Sequence, residues 1–328
     1  MQSSGLFFNL VVNFLIQRLR DLDIGLKICG KFCGIWVYCD DIFVLSSSRL
    51  GLQSMVSECE SFVAKNNMKF STNIDPRKSK TKCIIFSKRQ ADRVGVDNII
   101  LNGDPLPWVD KIKHVGNIME NDNSFKQDCQ IKRGQFIGKI HSLNQEFYCT
   151  TSGVKVKLYD IFTLSFYGSP LWNLFGPEVE RLYRSYNVAV RIAYKVDRKT
   201  RTFLIEPLTE CYHPFTLLCS RFVKFHQTNL LCNKPTIRML AKIYERDLRT
   251  VYGNNLKQIA STCKYDIEEL STQIVKSTVR YRNIPETETW RIPIMKEMLF
   301  AKENNLEIEG LSRKDINSML NFVCTVHS

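Results

Sequence analysis

The chain has 328 residues and a hydrophobic fraction of 44%, which excludes a disordered chain and leaves room for two or three domains. Lys and Arg number 46 against 33 Asp and Glu, so the formal net charge is +13 and favours a partner that carries phosphates. The apolar stretch 6–15 contains Asn9 and Asn13, which excludes a membrane span, and the lack of a basic leader excludes a signal peptide. We therefore expect no membrane partner, and reduced cysteines in the nucleus or cytoplasm.

Helices and short strands alternate through the first third of the chain. Apolar residues at helical spacing predict α-helices over 6–14 and 52–63. Runs that favour β structure predict strands at 26–29, 35–45, 68–71 and 83–86. We expect the two helices to pack on one face of a single small antiparallel sheet.

The strand region 35–45 is interrupted by two adjacent carboxylates, Asp40 and Asp41, which predict a β-hairpin with a charged tip. Hairpin turns are normally made by Gly, Asn or Pro, and neighbouring acids repel each other unless a cation lies between them. Mg²⁺ takes oxygen ligands, usually one or two carboxylates completed by water and substrate phosphates. The pair is therefore a candidate site for phosphoryl transfer, and the alternative is a solvated acidic turn.

The residues from Ile35 to Leu45, with the helix pattern that follows at 50–53, resemble the palm of a reverse transcriptase. More narrowly, they are similar to the polymerase of LINE-type, non-LTR retrotransposons. The resemblance implies that Asp40 and Asp41 are catalytic and bind Mg²⁺ or Mn²⁺, and that Tyr38 contacts substrate. Cys39 stands where that family usually has Ala.

Two flanking segments extend the resemblance. Residues 4–10 are similar to a Ser-Pro-x-Leu-Phe-Asn segment that lines the nucleotide and template site, which implies a substrate contact for Asn9. Gly stands where Pro is expected, and the usual preceding Gln-Gly pair is missing. The stretch 78–86 resembles the next palm motif, in which a lysine lies near the incoming triphosphate. Lys78 and Lys80 are both candidates, and a basic loop before a strand is the alternative for either.

The end of the palm and the thumb follow in the order that the family has. Residues 101–103 and 113–118 resemble the hairpin and primer-gripping strand, which implies a primer grip at His114, Val115 and Gly116. His114 takes a position often held by Tyr. The stretches 167–172, 188–191 and 204–208 resemble the thumb and the region after it. Telomerase and group II intron enzymes share the acidic hairpin, but 78–86 and 167–172 look closer to LINE elements.

The fold class expected from this resemblance is α+β. We predict a partial polymerase palm at 1–120, a helical thumb at 121–200 and a helical, basic C-terminal region at 201–328. Helices are predicted over 125–147, 290–304 and 312–323. Two apolar stripes are predicted to face the core, one at residues 158, 161, 162, 165 and 166, and the other at 179, 182, 186, 190 and 193.

Two-metal nucleotidyl transfer needs a third carboxylate, which the family carries on an earlier palm strand. No residue here matches that strand, so we expect a truncated polymerase with half of its metal site, weak metal binding and negligible activity alone. In a full-length relative the partners are an RNA template, a DNA primer or duplex and a dNTP. The sequence gives no indication of the oligomeric state.

Basic charge is concentrated between Arg181 and Arg249, a stretch that contains 14 basic and 5 acidic residues. The aromatic residues Tyr183, Tyr186, Tyr194, Phe203 and Phe225 lie among them. This pattern is typical of a phosphate-tracking groove with stacking rings, or equally of helices with solvated basic faces and aromatic core residues. The first interpretation supports an alternative function, a non-catalytic nucleic-acid-binding protein. A relic with no function is a further alternative.

Zinc is the remaining hypothesis for the cysteines. Cys29 and Cys33 are separated by three residues across a predicted turn, and Cys211 lies near His213 in the sequence. No second pair follows at the spacing of a zinc finger, so we do not expect a structural zinc site.

Overall fold

The computed structural model describes residues 3–73, 75, 78–87, 89–280, 284–306, 308 and 311–325, with the backbone alone for 3–9 and 325. Two compact units make up the chain, Met1–Ser124 and Phe125–Ser328. The expected α+β class is confirmed, because all strands of the described residues lie in the first unit and the second is helical. The division lies close to the predicted boundary at 120. The predicted boundary at 200 falls inside the second unit and stays a prediction.

The first unit combines two helices with four β-hairpins among its described residues. The helices are α1 (Ser3–Asp21) and α2 (Arg49–Lys65). The hairpins pair β1 (Lys27–Ile28) with β2 (Lys31–Phe32), β3 (Ile35–Tyr38) with β4 (Asp41–Val44), β5 (Ile99–Leu101) with β6 (Asp104–Leu106), and β7 (Lys111–His114) with β8 (Asn117–Glu120). Each hairpin is a separate two-stranded antiparallel sheet, so the expected single sheet is wrong.

The segments 68–71 and 83–86 were expected to be strands and are not. In the second, Cys83 alone forms a β-bridge, with Trp108. In the first segment, side chains satisfy single backbone groups: the Asn102 side chain donates to Phe70 O at 3.1 Å, and the Thr81 hydroxyl donates to Ser71 O at 2.8 Å. In the second, the backbone of Cys83 donates to Pro107 O at 3.0 Å and accepts from Val109 N at 2.9 Å, and this pairing does not extend into a ladder.

Helix α2 lies between two apolar clusters. One face buries Met55, Cys59, Phe62 and Val63 against Leu15 and Leu19 of α1, and the hairpin residues Ile35, Ile42 and Val44 pack against this cluster. The other face places Leu52 and Val56 against a cluster centred on the β5–β6 hairpin. Both helices therefore pack on one face of the acidic hairpin, whereas the larger sheet on which they were expected to pack is not formed.

A side-chain amide on α2 holds the edge of β5. Gln53 Nε2 donates to Ile100 O at 2.9 Å, and Gln53 Oε1 accepts from Ile100 N at 2.8 Å. Two turns later on α2, Glu60 Oε1 accepts from Asn102 N at 3.1 Å. The Gln53 side chain thus satisfies the exposed strand edge as a neighbouring strand would.

The second unit is an assembly of helices around one continuous apolar core. Its helices among the described residues are α3 (Lys126–Glu146), α4 (Ser152–Thr163), α5 (Pro177–Ala193), α6 (Ile205–Thr209), α7 (Pro214–Leu231), α8 (Pro235–Arg246), α9 (Val251–Cys263), α10 (Thr272–Thr278), α11 (Arg291–Asn304) and α12 (Arg313–Thr325). The helices predicted over 125–147, 290–304 and 312–323 are confirmed as α3, α11 and α12.

One of the two predicted core stripes is confirmed and the other is wrong in part. On α5 the stripe from Val179 to Ala193 is buried as predicted. On α4 the buried face is formed by Ser152, Val156, Tyr159 and Thr163, while Ile161 and Phe162 are 69% and 55% exposed. Helix α4 has apolar residues on more than one face, so its spacing alone does not indicate which face meets the core.

A buried ion pair anchors the segment 167–172 to α3. The carboxylate of Asp128 is 3% exposed, accepts from Trp172 Nε1 at 2.8 Å and pairs with Lys132 Nζ at 2.9 Å. Lys132 also donates to the carbonyl of Tyr167. From the other side, Asn255 Nδ2 donates to Trp172 O at 2.8 Å. Each buried polar group here has a partner, as burial requires.

A buried histidine joins α7, α8 and α9. His226 Nδ1 lies 2.7 Å from the Tyr252 hydroxyl, and its Nε2 lies 3.7 Å from Glu245 Oε2. Burial lowers the pKa of His226, and Glu245 opposes that shift.

Candidate functional site

The acidic hairpin predicted from the sequence is present. Its register pairs Tyr38 with Asp41, so Cys39 and Asp40 form a two-residue turn. Cys39 has φ 53°, in the left-handed region that Gly and Asn normally occupy. Both carboxylates are exposed to solvent. The hairpin thus presents two accessible carboxylates at the tip of a packed element.

The two faces of this hairpin have different surroundings. Side chains alternate along a strand, and directly paired residues share a face. Ile35, Ile42 and Val44 face the core formed by α1 and α2. The opposite face therefore carries Trp36 and Phe43, which pair with each other, and Tyr38 and Asp41, which pair at the tip. We call these four residues the outer face.

The predicted primer grip meets this outer face. The ring of His114, at the end of β7, stacks on Phe43 with centroids 5.2 Å apart and an interplanar angle of 22°. Phe43 was missed by the sequence analysis, although its place two residues after Asp41 on a strand indicates the shared face. The structure therefore brings together one residue from each of two separately identified motifs.

The turn of the β7–β8 hairpin is strained. His114 pairs with Asn117, so Val115 and Gly116 form the turn, with φ 45° and φ 76°. Two positive φ values are typical of a type I′ turn, which favours Asn-Gly. A β-branched residue in this region is an outlier. Strain of this kind concentrates at functional sites, which fits the predicted role of Val115 and Gly116.

The other residues predicted to contact substrate are Lys78, Lys80 and Asn9. Lys78 and Lys80 both project into solvent on either side of Ser79, which is buried and donates to Thr81 O at 2.6 Å. The choice between the two lysines stays open. Asn9 lies on α1, but its side chain is outside the described residues.

The loop after the hairpin positions α2. The Ser48 hydroxyl caps the helix by accepting from Gly51 N at 3.1 Å. A Cβ atom on Gly51 would lie 2.6 Å from Ser46 Oγ and 3.1 Å from a methyl carbon of Ile24, so a larger residue would displace this loop. The glycine of the 50–53 pattern therefore permits close approach of the hairpin exit to the helix.

The donor chemistry of the acidic tip fits a divalent cation that substrate also coordinates. In the part of the chain that the structure describes, no group of three or more His, Cys, Asp or Glu side chains gathers as a metal site. Mg²⁺ is commonly held by one or two carboxylates with water and phosphates completing its shell. Asp40 and Asp41 are the residues that would hold Mg²⁺ or Mn²⁺ here.

Cys211 and His213 do not form a zinc site, because both ring nitrogens of His213 have other partners. Nδ1 accepts from Phe215 N at 3.1 Å, at the start of α7, and Nε2 contacts Asn187 Oδ1 at 3.1 Å. His213 is also 1% exposed. Of the first pair, Cys29 is exposed and Cys33 is buried, and all twelve cysteines are free thiols.

The basic region differs from the stacking groove that the sequence suggested. Tyr183, Tyr186 and Tyr194 are between 1% and 9% exposed and lie in the core, so they do not present rings to a ligand. Burial raises the pKa of Tyr194 to about 12. Of the two interpretations, that of aromatic core residues is therefore confirmed for these three and that of stacking rings is wrong, because α5 turns its aromatic stripe toward the other helices.

Some arginines of this region donate hydrogen bonds to backbone carbonyls of the second unit. Arg191 Nη2 donates to Thr200 O at 2.6 Å, and Arg221 Nη1 donates to Ser165 O at 3.0 Å. On α8, by contrast, Arg238, Lys242 and Arg246 are exposed at helical spacing and form one basic stripe. This stripe is the strongest candidate of the region for phosphate contacts.

Comparison with family models finds no match, and no curated protein matches the chain. No helix among the described residues combines the length and apolar content that a membrane span requires.

Proposed function

We propose that this chain contains the palm and thumb of a reverse transcriptase of the non-LTR retrotransposon type, with Asp40 and Asp41 as its metal-binding carboxylates. The observation that carries the proposal is the stacking of His114 on Phe43. It places the predicted primer grip on the face that bears Tyr38 and Asp41. A polymerase needs this juxtaposition, because the primer end must lie beside the metal.

The roles follow from the positions of the residues. Bound Mg²⁺ would stabilise the attacking and leaving oxygens of an in-line displacement at the nucleotide α-phosphate. Asp40 would ligate the metal, and Asp41 would assist as a second ligand or by orienting Asp40. His114 and the turn at Val115 and Gly116 position the primer end. The template is RNA and the primer DNA, and the free cysteines fit a protein of the nucleus or cytoplasm.

Metal binding at the hairpin is the direct test. In a perdeuterated, ¹⁵N-labelled sample, added Mn²⁺ should broaden the amide signals of Tyr38, Phe43 and His114 by paramagnetic relaxation. The double variant Asp40→Asn, Asp41→Asn should abolish the broadening, whereas the matched variant Asp21→Asn, an exposed acid at the end of α1, should not. Equal broadening in the double variant would contradict the proposal.

Primer extension tests the catalytic part. Because three carboxylates are needed and the described residues gather two at the tip, we expect negligible extension by this chain on RNA or DNA templates with Mg²⁺ or Mn²⁺. Robust extension that Asp40→Asn abolishes would show that the site is complete and would overturn that expectation.

A second candidate function is nucleic-acid binding without catalysis, favoured by the basic stripe of Arg238, Lys242 and Arg246. Binding of RNA or duplex DNA should weaken with salt, and alanine at all three positions should make the slope of log K against log [salt] shallower by up to about 3. Arg313→Ala with Lys314→Ala, two exposed charges of α12, is the control. Absence of binding at low salt would eliminate this candidate.

A further inference from the structure

A groove of about 730 Å³ runs between α3 and α5 in the second unit. Its floor is aliphatic. Ile137, Val188 and Ile192 are 37%, 52% and 61% exposed, and Ile140 and Ala189 are buried beneath them. Val188 and Ile192 are one helical turn apart, so their side chains form a continuous ridge along α5. Exposed apolar residues clustered in a concave surface mark a binding site more often than scattered ones do.

The rim of this α3–α5 groove is positively charged. The basic lining residues are Arg133, Lys155, Arg181, Arg184 and Lys195. His141 lies among them, and no Asp or Glu lines the groove within the described residues. Arg181 pairs with Glu178, which does not line the groove, at 2.6 Å, whereas the Arg184 side chain is 71% exposed with Glu180 at 3.5 Å.

We propose that the α3–α5 groove binds an amphipathic α-helix of a partner protein, with apolar residues along the helix face that enters the groove and acidic residues beside them. An aliphatic floor between two helices accepts the apolar face of a third helix. The basic rim would then pair with the acidic flanks, which favours an acidic partner and rejects a basic one.

The floor disfavours nucleic acid as the occupant. Bases bind single-strand grooves by stacking on aromatic rings, and their polar edges need hydrogen-bond partners. Ile137, Val188 and Ile192 offer neither. Two rings belong to the described lining, His141 on α3 and Tyr148, which is 76% exposed and follows the end of α3; neither is part of the aliphatic floor. This inference does not depend on the polymerase proposal, since it uses neither the acidic hairpin nor metal.

The test is selection from a displayed library of helical peptides of about 18 residues, with leucine fixed at helical spacing and the flanking positions randomised between Glu and Lys. We expect enrichment of Glu at the flanks on the full chain. The affinity of an enriched peptide is then measured by fluorescence anisotropy. Val188→Asp should weaken it by at least about tenfold. Ile161→Asp, at an exposed position of α4 outside the groove, should leave it unchanged.

A second variant separates charge from packing. The Arg184 side chain is 71% exposed, so the fold tolerates Arg184→Glu. This variant should weaken binding of the acidic peptide, whereas Arg198→Glu, at an exposed position outside the groove, should not. Failure to enrich any peptide, enrichment of Lys at the flanks, or equal affinity in Val188→Asp and Ile161→Asp would overturn the proposal. Displacement of the peptide by an oligonucleotide that itself loses affinity in Val188→Asp would identify a nucleic-acid surface instead.

Discussion

Replacing Val115 by Asn tests the conformation of the predicted primer grip. Val115 has φ 45° in a two-residue turn with Gly116. The left-handed region costs an L-residue about 1–2 kcal/mol, and Asn tolerates it better than a β-branched residue. Val115 is half-buried, so its loss removes about 0.5–1 kcal/mol of apolar burial. The net expectation for Val115→Asn is a gain of about 0.5–1 kcal/mol in unfolding free energy.

The β5–β6 hairpin provides a reciprocal control within the same unit. Its turn is Asn102 and Gly103, with φ 54° and φ 79°, which already suits a type I′ turn. Asn102→Val introduces the strain and removes the hydrogen bond to Phe70 O, so it should cost about 2–3 kcal/mol.

Native-state hydrogen exchange of the strand amides in each hairpin measures these changes locally. A thermal melt should show the first unit of Val115→Asn shifted upward by about 2–4 °C. A loss of stability in Val115→Asn alongside the expected cost in Asn102→Val would refute the reasoning. It would mean that Val115 contributes more by packing than its backbone conformation costs.

Three further outcomes are expected from buried and paired groups. Asp128→Ala should lower the unfolding free energy by about 3 kcal/mol or more in urea titration, because it leaves the Lys132 ammonium buried without its carboxylate. Asp128→Asn should cost less, because it retains an acceptor for the Trp172 indole. Gln53→Ala should lower the unfolding free energy by about 1–2 kcal/mol, and Gln53→Glu should lower it more, since a carboxylate would face the Ile100 carbonyl. Equal effects of the two variants would argue against the pair of hydrogen bonds between Gln53 and Ile100. Burial lowers the pKa of His226, so below about pH 6.5 the unfolded chain takes up the proton before the folded chain does. The unfolding free energy of the wild type should therefore fall more steeply than that of His226→Asn as the pH decreases from about 6.5 to 5, and parallel curves would contradict the assignment.

Local patterns were sufficient for several elements. The hairpin around Asp40 follows from two β-favouring runs separated by a short polar interruption, and the structure has its turn at Cys39 and Asp40. Helix α5 was predictable with its buried face, because residues 179, 182, 186, 190 and 193 fall on one apolar stripe at helical spacing, although Val188 and Ile192 add exposed apolar surface elsewhere on the helix. The candidate carboxylates were named from the sequence, and the structure adds that both are exposed.

Other features depended on contacts between distant parts of the chain. The burial of Ile161 was mispredicted because α4 is apolar on more than one face. The segments 68–71 and 83–86 resemble strands, yet the Asn102 side chain bonds the Phe70 carbonyl of the first, and the second forms a β-bridge at Cys83 alone. The Phe43 and His114 stack and the burial of Asp128 are likewise invisible to periodicity. Sequence period determines which residues share a face, whereas tertiary packing alone decides which face is covered and by what.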